Sequence, residues 1–121
     1  MKITLLEALA VNTEKTSAIA VVGGGGKTSL IFRLTEELVA AGKNVVVTTT
    51  THMAYEPERP FVENGETDGI RKDLQRYHYT VAASLDRTKG KIGCLPEKRL
   101  MELRELADIL LIEADGAKRL P

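Results

Sequence analysis

Aromatic surface is scarce in this sequence, and tryptophan is missing altogether. Aromatic residues make up only 4% of the 121 residues, which argues against a platform for stacked bases. There is a single cysteine, Cys94, so no internal disulfide can form, and a reducing cytoplasm is the expected compartment. Neither sign of charge prevails: 17 Lys plus Arg balance 17 Asp plus Glu. Nothing global therefore attracts nucleic acid or an anionic membrane surface. No apolar run approaches the roughly 20 residues that a membrane-spanning helix needs. The opening "MKITLLEALAVNTEKTSAIAVV" is a poor secretory leader, because acidic residues interrupt it.

The chain does hold ordered alternation. "TLLEALAV" (4–11) reads as a short helix. "AIAVV" (18–22) is an apolar run stopped by glycines, the pattern of a buried parallel strand. Residues 27–41 read as a helix with Leu30, Ile31, Leu34, Leu38 and Val39 on one stripe, ended by Gly42. "NVVVTTT" (44–50) is β-branched and reads as the next strand. Residues 51–68 hold Pro57, Pro60 and an Asn64-Gly65 turn signal, and are expected to be irregular. A helix over "GIRKDLQRYHY" would set Ile70, Leu74 and Tyr77 on one side. "TVAASL" (80–85) reads as a strand, and "DRTKGKIGCLP" as a basic turn able to form a short hairpin. Pro96 opens a helix with Leu100, Leu103, Leu106 and Ala107 inward. "DILLI" (108–112) is a last apolar strand. This order predicts an α/β fold with a mainly parallel sheet between flanking helices. The chain then stops at "EADGAKRLP", beyond a strand and turn that would ordinarily be covered by a helix. The expectation is one nucleotide-binding domain over 1–121, the N-terminal part of a longer protein.

Chemistry concentrates in "AIAVVGGGGKTSL" (18–30). A strand ending in glycines and opening into a helix presents bare backbone N–H groups at a helix N-terminus, which is an anion site. Gly23, Gly24, Gly25 and Gly26 lack a Cβ, so the backbone can curl around phosphates. Lys27 can reach β- and γ-phosphate oxygens, Thr28 can offer a hydroxyl to Mg²⁺, and Ser29 adds another hydroxyl. The spacing departs from the Walker A pattern G-x-x-x-x-G-K-[ST], because Val21 stands where its first glycine belongs. It lies closer to the variant G-K-G-G-x-G-K-[ST], with Val21 and Val22 in place of the leading Gly-Lys. That lysine serves a partner's nucleotide across a dimer, so dimer-dependent hydrolysis of that style is not expected.

A phosphate-loop site also needs an acidic group on a neighbouring strand. "DILLIEADG" supplies Glu113 and Asp115, which period two sends to the same side. Both are candidates for orienting water, with Asp115 preferred as the second Mg²⁺ holder beside Thr28. "VVVTTTTHM" places Thr48 to Thr51 and His52 at the end of the second strand, where open α/β sheets bind ligands. Thr50, Thr51 and His52 are the nucleotide-site candidates there. His78 has no partner motif, and Cys94 no companion. Arg87, Lys89 and Lys91 read mainly as a solvated basic turn, with a phosphate contact as the lesser reading.

Taken together, "VVGGGGKTSL", "VVVTTTTHM" and "EADGAKRLP" resemble the YqeC family, described as accessory proteins of selenium-dependent hydroxylases. The resemblance covers the whole chain. It implies a fold of the P-loop nucleotide-binding type, with ATP or GTP and Mg²⁺ as ligands. It also implies a place in the maturation of selenium-dependent molybdenum hydroxylases, with such a hydroxylase or a cofactor-maturation protein as partner. The family resemblance points to Gly23 through Thr28, to Thr48 through His52, and to Glu113, Asp115 and Gly116. It names a process and leaves the reaction open between hydrolysis of ATP or GTP, phosphoryl transfer to a small molecule, and binding without turnover.

Overall fold

In a computed structural model, residues 18–21 and 27–114 are described, with Lys27 described at the backbone only. The expected leading helix (4–11), Gly23 to Gly26, Asp115 and Gly116 lie outside the described residues. Within them the strands are β1 (Ala18–Val21), β2 (Val45–Thr49), β3 (His52–Ala54), β4 (Phe61–Glu63), β5 (Tyr79–Asp86), β6 (Lys91–Gly93) and β7 (Ile109–Glu113). The helices are α1 (Lys27–Ala40), α2 (Thr67–Tyr77) and α3 (Glu97–Leu106).

The sheet runs in the order β1-β7-β2-β5-β6-β3, with β4 paired to β5 off this path. The β1–β7, β7–β2, β2–β5 and β4–β5 ladders are parallel. The β5–β6 and β6–β3 ladders are antiparallel. The parallel strands are short and apolar because helices cover both faces. On one face Ile31, Leu34 and Leu38 of α1 pack on Val45, Val47, Ile109 and Leu111. On the other, Ile70 and Leu74 of α2 and Leu103 of α3 pack on Val46, Ala82 and Leu110. Alternation along β2 and β7 thus splits neighbouring residues between two cores.

Residues 51–68 depart from the irregular stretch that their prolines and turn residues suggest. They hold β3 and β4, and α2 begins at Thr67. Pro60 precedes β4, where its carbonyl accepts the Val81 N–H at 3.0 Å. Asn64 (φ 62°) and Gly65 (φ 65°) then take left-handed backbone, as the turn signal requires. Tyr77 does not join the inner side of α2 and is 43% exposed. His78 is not helical but caps α2 in the left-handed region, φ 67°, and its N–H bonds the Leu74 carbonyl. The connection after β3 docks on α1, with the Arg59 guanidinium 3.6 Å from the Phe32 ring centroid.

Candidate functional site

Three adjacent parallel strands end level with one another. Val21 of β1 pairs with Glu113 of β7, and Glu113 pairs with Thr49 of β2. The ladder holds to its last rung, because Ala114 N–H donates to the Val21 carbonyl at 3.0 Å and Thr50 N–H to the Glu113 carbonyl at 2.9 Å. The residues leading into the glycine loop, the acidic turn and the threonine tract therefore leave the sheet from one edge. That edge is the carboxyl end of the parallel strands, where α/β sheets take ligands.

Side-chain direction follows from the strand period. Val21, Val47 and Leu111 belong to the core beneath α1, so Thr49 and Glu113 point to the same face. Glu113 is a buried carboxylate, 5% exposed, beside a fully buried Thr49. Thr49 Oγ1 donates to Glu113 Oε1 at 2.6 Å, and Thr51 Oγ1 donates to the same oxygen at 2.7 Å. Thr49 Oγ1 accepts the Thr51 N–H at 3.0 Å, which folds the chain back after β2 and brings the second hydroxyl round. Two hydroxyls on one carboxyl oxygen fix the orientation of the group.

The remaining candidates sort around this clamp. Thr28 lies in the first turn of α1, half-buried, and Ser29 beside it is exposed. Thr50 is exposed, and its hydroxyl donates to the Glu113 carbonyl at 3.3 Å. Thr48 points to the opposite face, fully buried, and its hydroxyl has no hydrogen-bond partner among the described residues. His52 is exposed at the start of β3. Lys27 starts α1, while Gly23 to Gly26 and Asp115 are outside the described residues. Thr49 is the member that the residue pattern undervalues. In sequence it is one strand-forming threonine among four, and only the register with Glu113 marks it out. Outside this edge, His78 Nδ1 lies 3.3 Å from Asn44 Oδ1. Arg87 pairs with Glu63 at 2.7 Å on the surface, in line with a solvated turn.

The YqeC protein family model matches residues 19–121. The chain belongs to the YqeC family. It is 34% identical over 119 residues to a relative in Escherichia coli (strain K12) described as "Uncharacterized protein YqeC". That alignment covers 89% of this chain and 44% of the relative, so the chain spans less than half of the relative's length. No solved structure matches. The YqeC match takes in the threonine tract and Glu113 as well as the glycine loop. No helix among the described residues is long and apolar enough to cross a membrane.

Proposed function

We propose that this chain is the Mg²⁺-dependent nucleotide-binding part of an accessory protein that hydrolyses ATP or GTP. The level ending of β1, β7 and β2, with the Glu113 carboxylate clamped by Thr49 and Thr51, is the observation that supports it most. A glycine loop leaving β1 and entering α1 would open beside that carboxylate. The Gly23 to Gly26 amides would cradle the phosphates, and Lys27 would stabilise charge on the γ-phosphoryl group. Glu113 would hold the attacking water in line, its orientation set by the two threonines.

The donor set suits Mg²⁺. Thr28 and Asp115 offer hard oxygens only, and Mg²⁺ is usually held by one or two carboxylates together with phosphate oxygens and water. Among the described residues no three His, Cys, Asp or Glu gather into a protein cage. Bound Mg²⁺ would supply charge neutralisation at the phosphates, with Thr28 and Asp115 as its protein ligands. The process served would be maturation of a selenium-dependent molybdenum hydroxylase, as the family resemblance implies.

The test is phosphate release by the full-length protein from ATP and from GTP, with and without Mg²⁺. Mg²⁺-dependent release that Glu113→Gln lowers by about a hundredfold, the scale of one lost transition-state contact, supports hydrolysis. Release that is absent, with nucleotide still bound, turns the reading to a binding scaffold. A second reading, transfer to a small-molecule acceptor, draws on the exposure of His52 at the strand edge. Phosphate transfer seen only when an acceptor is added would favour it.

A further inference from the structure

Beyond the threonine–glutamate clamp the sheet carries an extension that the parallel core does not need. β6 lies between β3 and β5 and is antiparallel to both. Gly93 sits level with His52 on one side and Ser84 on the other. Lys91 sits level with Ala54 and Asp86. Met53, Ile92 and Leu85 belong to the core beneath α1, so alternation sends His52, Ser84, Asp86, Lys91 and Gly93 to the other face. There they line an open cleft of about 470 Å³, together with Lys89 and Cys94, a volume in the range of small-molecule sites.

Two properties give the cleft a chemical preference. Its floor is Gly93, where a Cβ would come within 3.2 Å of Ser84 Oγ and 3.6 Å of the His52 ring. Any side chain there would fill the space between those two polar groups. Its charge is positive on balance, with two lysines against one aspartate. Asp86 is partly spent already, since its Oδ1 accepts the N–H groups of Thr88 at 3.0 Å and Lys89 at 3.2 Å. Neither Lys89, Lys91 nor His52 has an ion pair or side-chain hydrogen bond among the described residues. Arg87, in the same turn, is turned away onto Glu63.

We propose that this cleft binds a small anion, a phosphate ester or a carboxylate. Lys89 and Lys91 would supply the charge, with Ser84 and His52 as hydrogen-bond partners on either side of the Gly93 floor. His52 follows directly on Thr51, whose carbonyl lies 3.7 Å from the position of a Gly93 Cβ. The cleft is thus joined through two residues to the clamp on Glu113, although it opens on the other face of the sheet. Anion binding here stands independently of the nucleotide reading.

The test is amide chemical-shift titration of the full-length protein with inorganic phosphate and, separately, with malonate. Shifts at His52, Ser84 and residues 91–94 are expected. The double substitution Lys89→Met and Lys91→Met, both at exposed positions, should weaken the response by roughly tenfold or more. Response to phosphate alone assigns a phosphate ester, and response to malonate alone a carboxylate. Lys27→Ala separates the two sites: it should remove any phosphate response at residues 23–28 and leave the cleft response intact. No shift at the cleft amides, an unchanged response in the double variant, or loss of the cleft response in Lys27→Ala would each overturn the proposal.

Discussion

Replacing Thr49 by valine removes one hydroxyl from the clamp on Glu113 and keeps the shape of the side chain. Valine keeps the branched Cβ and the strand preference, and Thr49 is fully buried, so water cannot replace the lost donor. The hydroxyl lies 2.6 Å from Glu113 Oε1, and leaving a buried acceptor without its donor costs about 1–3 kcal/mol. The Thr51 N–H also loses its acceptor, while the added methyl recovers up to about 0.8 kcal/mol. Thr49→Val should therefore destabilise by about 2 kcal/mol. Thr51 is only half-buried, and Thr51→Val should cost about 1 kcal/mol. Both hydroxyls meet at one oxygen, so the double variant should depart from additivity by at least about 0.5 kcal/mol. Urea unfolding of the four proteins measures all three quantities. If Thr49→Val costs under about 0.5 kcal/mol, as an inconsequential surface change would, the clamp is not a strong interaction. A purely structural clamp would leave phosphate release per folded molecule unchanged, whereas a water-orienting one lowers it more than it lowers nucleotide affinity.

Gly65→Ala should destabilise by about 1–2 kcal/mol, because φ is +65° and the new Cβ would stand 3.1 Å from Leu95 Cδ1; thermal unfolding reads it. Gly69→Ala lies within α2, where alanine ordinarily adds about 1 kcal/mol, yet its Cβ would meet Val62 Cγ1 at 2.9 Å. A net loss of stability is expected, and Val62→Ala in the same chain should diminish the loss. Leu103→Ala empties a fully buried site between α3 and the sheet and should cost about 2–5 kcal/mol, measured by the urea midpoint.

The long elements were legible because each carries a local signal. β1 is an apolar run stopped by glycine, α1 a periodic stripe ended at Gly42, and β7 an apolar run before Glu113. β3 and β4 were not, since three residues each give no period to read. Phe61–Glu63 is a strand only because β5 runs beside it, and its flanking Pro60 and Asn64 argue locally for a loop. The candidate site divides in the same way. Glu113 and the threonine tract could be singled out by residue type and by their place after apolar strands. The bond between them could not, because it depends on how β2 registers against β7 across more than sixty residues of chain. Tyr77 shows the converse, a periodic position on α2 that stays 43% exposed.

The proposed function requires a nucleoside triphosphate to bind between Lys27 and the strand ends at Val21, Glu113 and Thr49, which finish level with one another. Titration calorimetry of ATP and GTP into the full-length protein, wild type against Lys27→Ala, tests it most directly. Saturable binding of at least one nucleotide, strengthened by Mg²⁺, is expected, and Lys27→Ala should abolish it or weaken it by at least about a hundredfold. Equal affinity in the two proteins, or no binding of either nucleotide to the wild type, would contradict it.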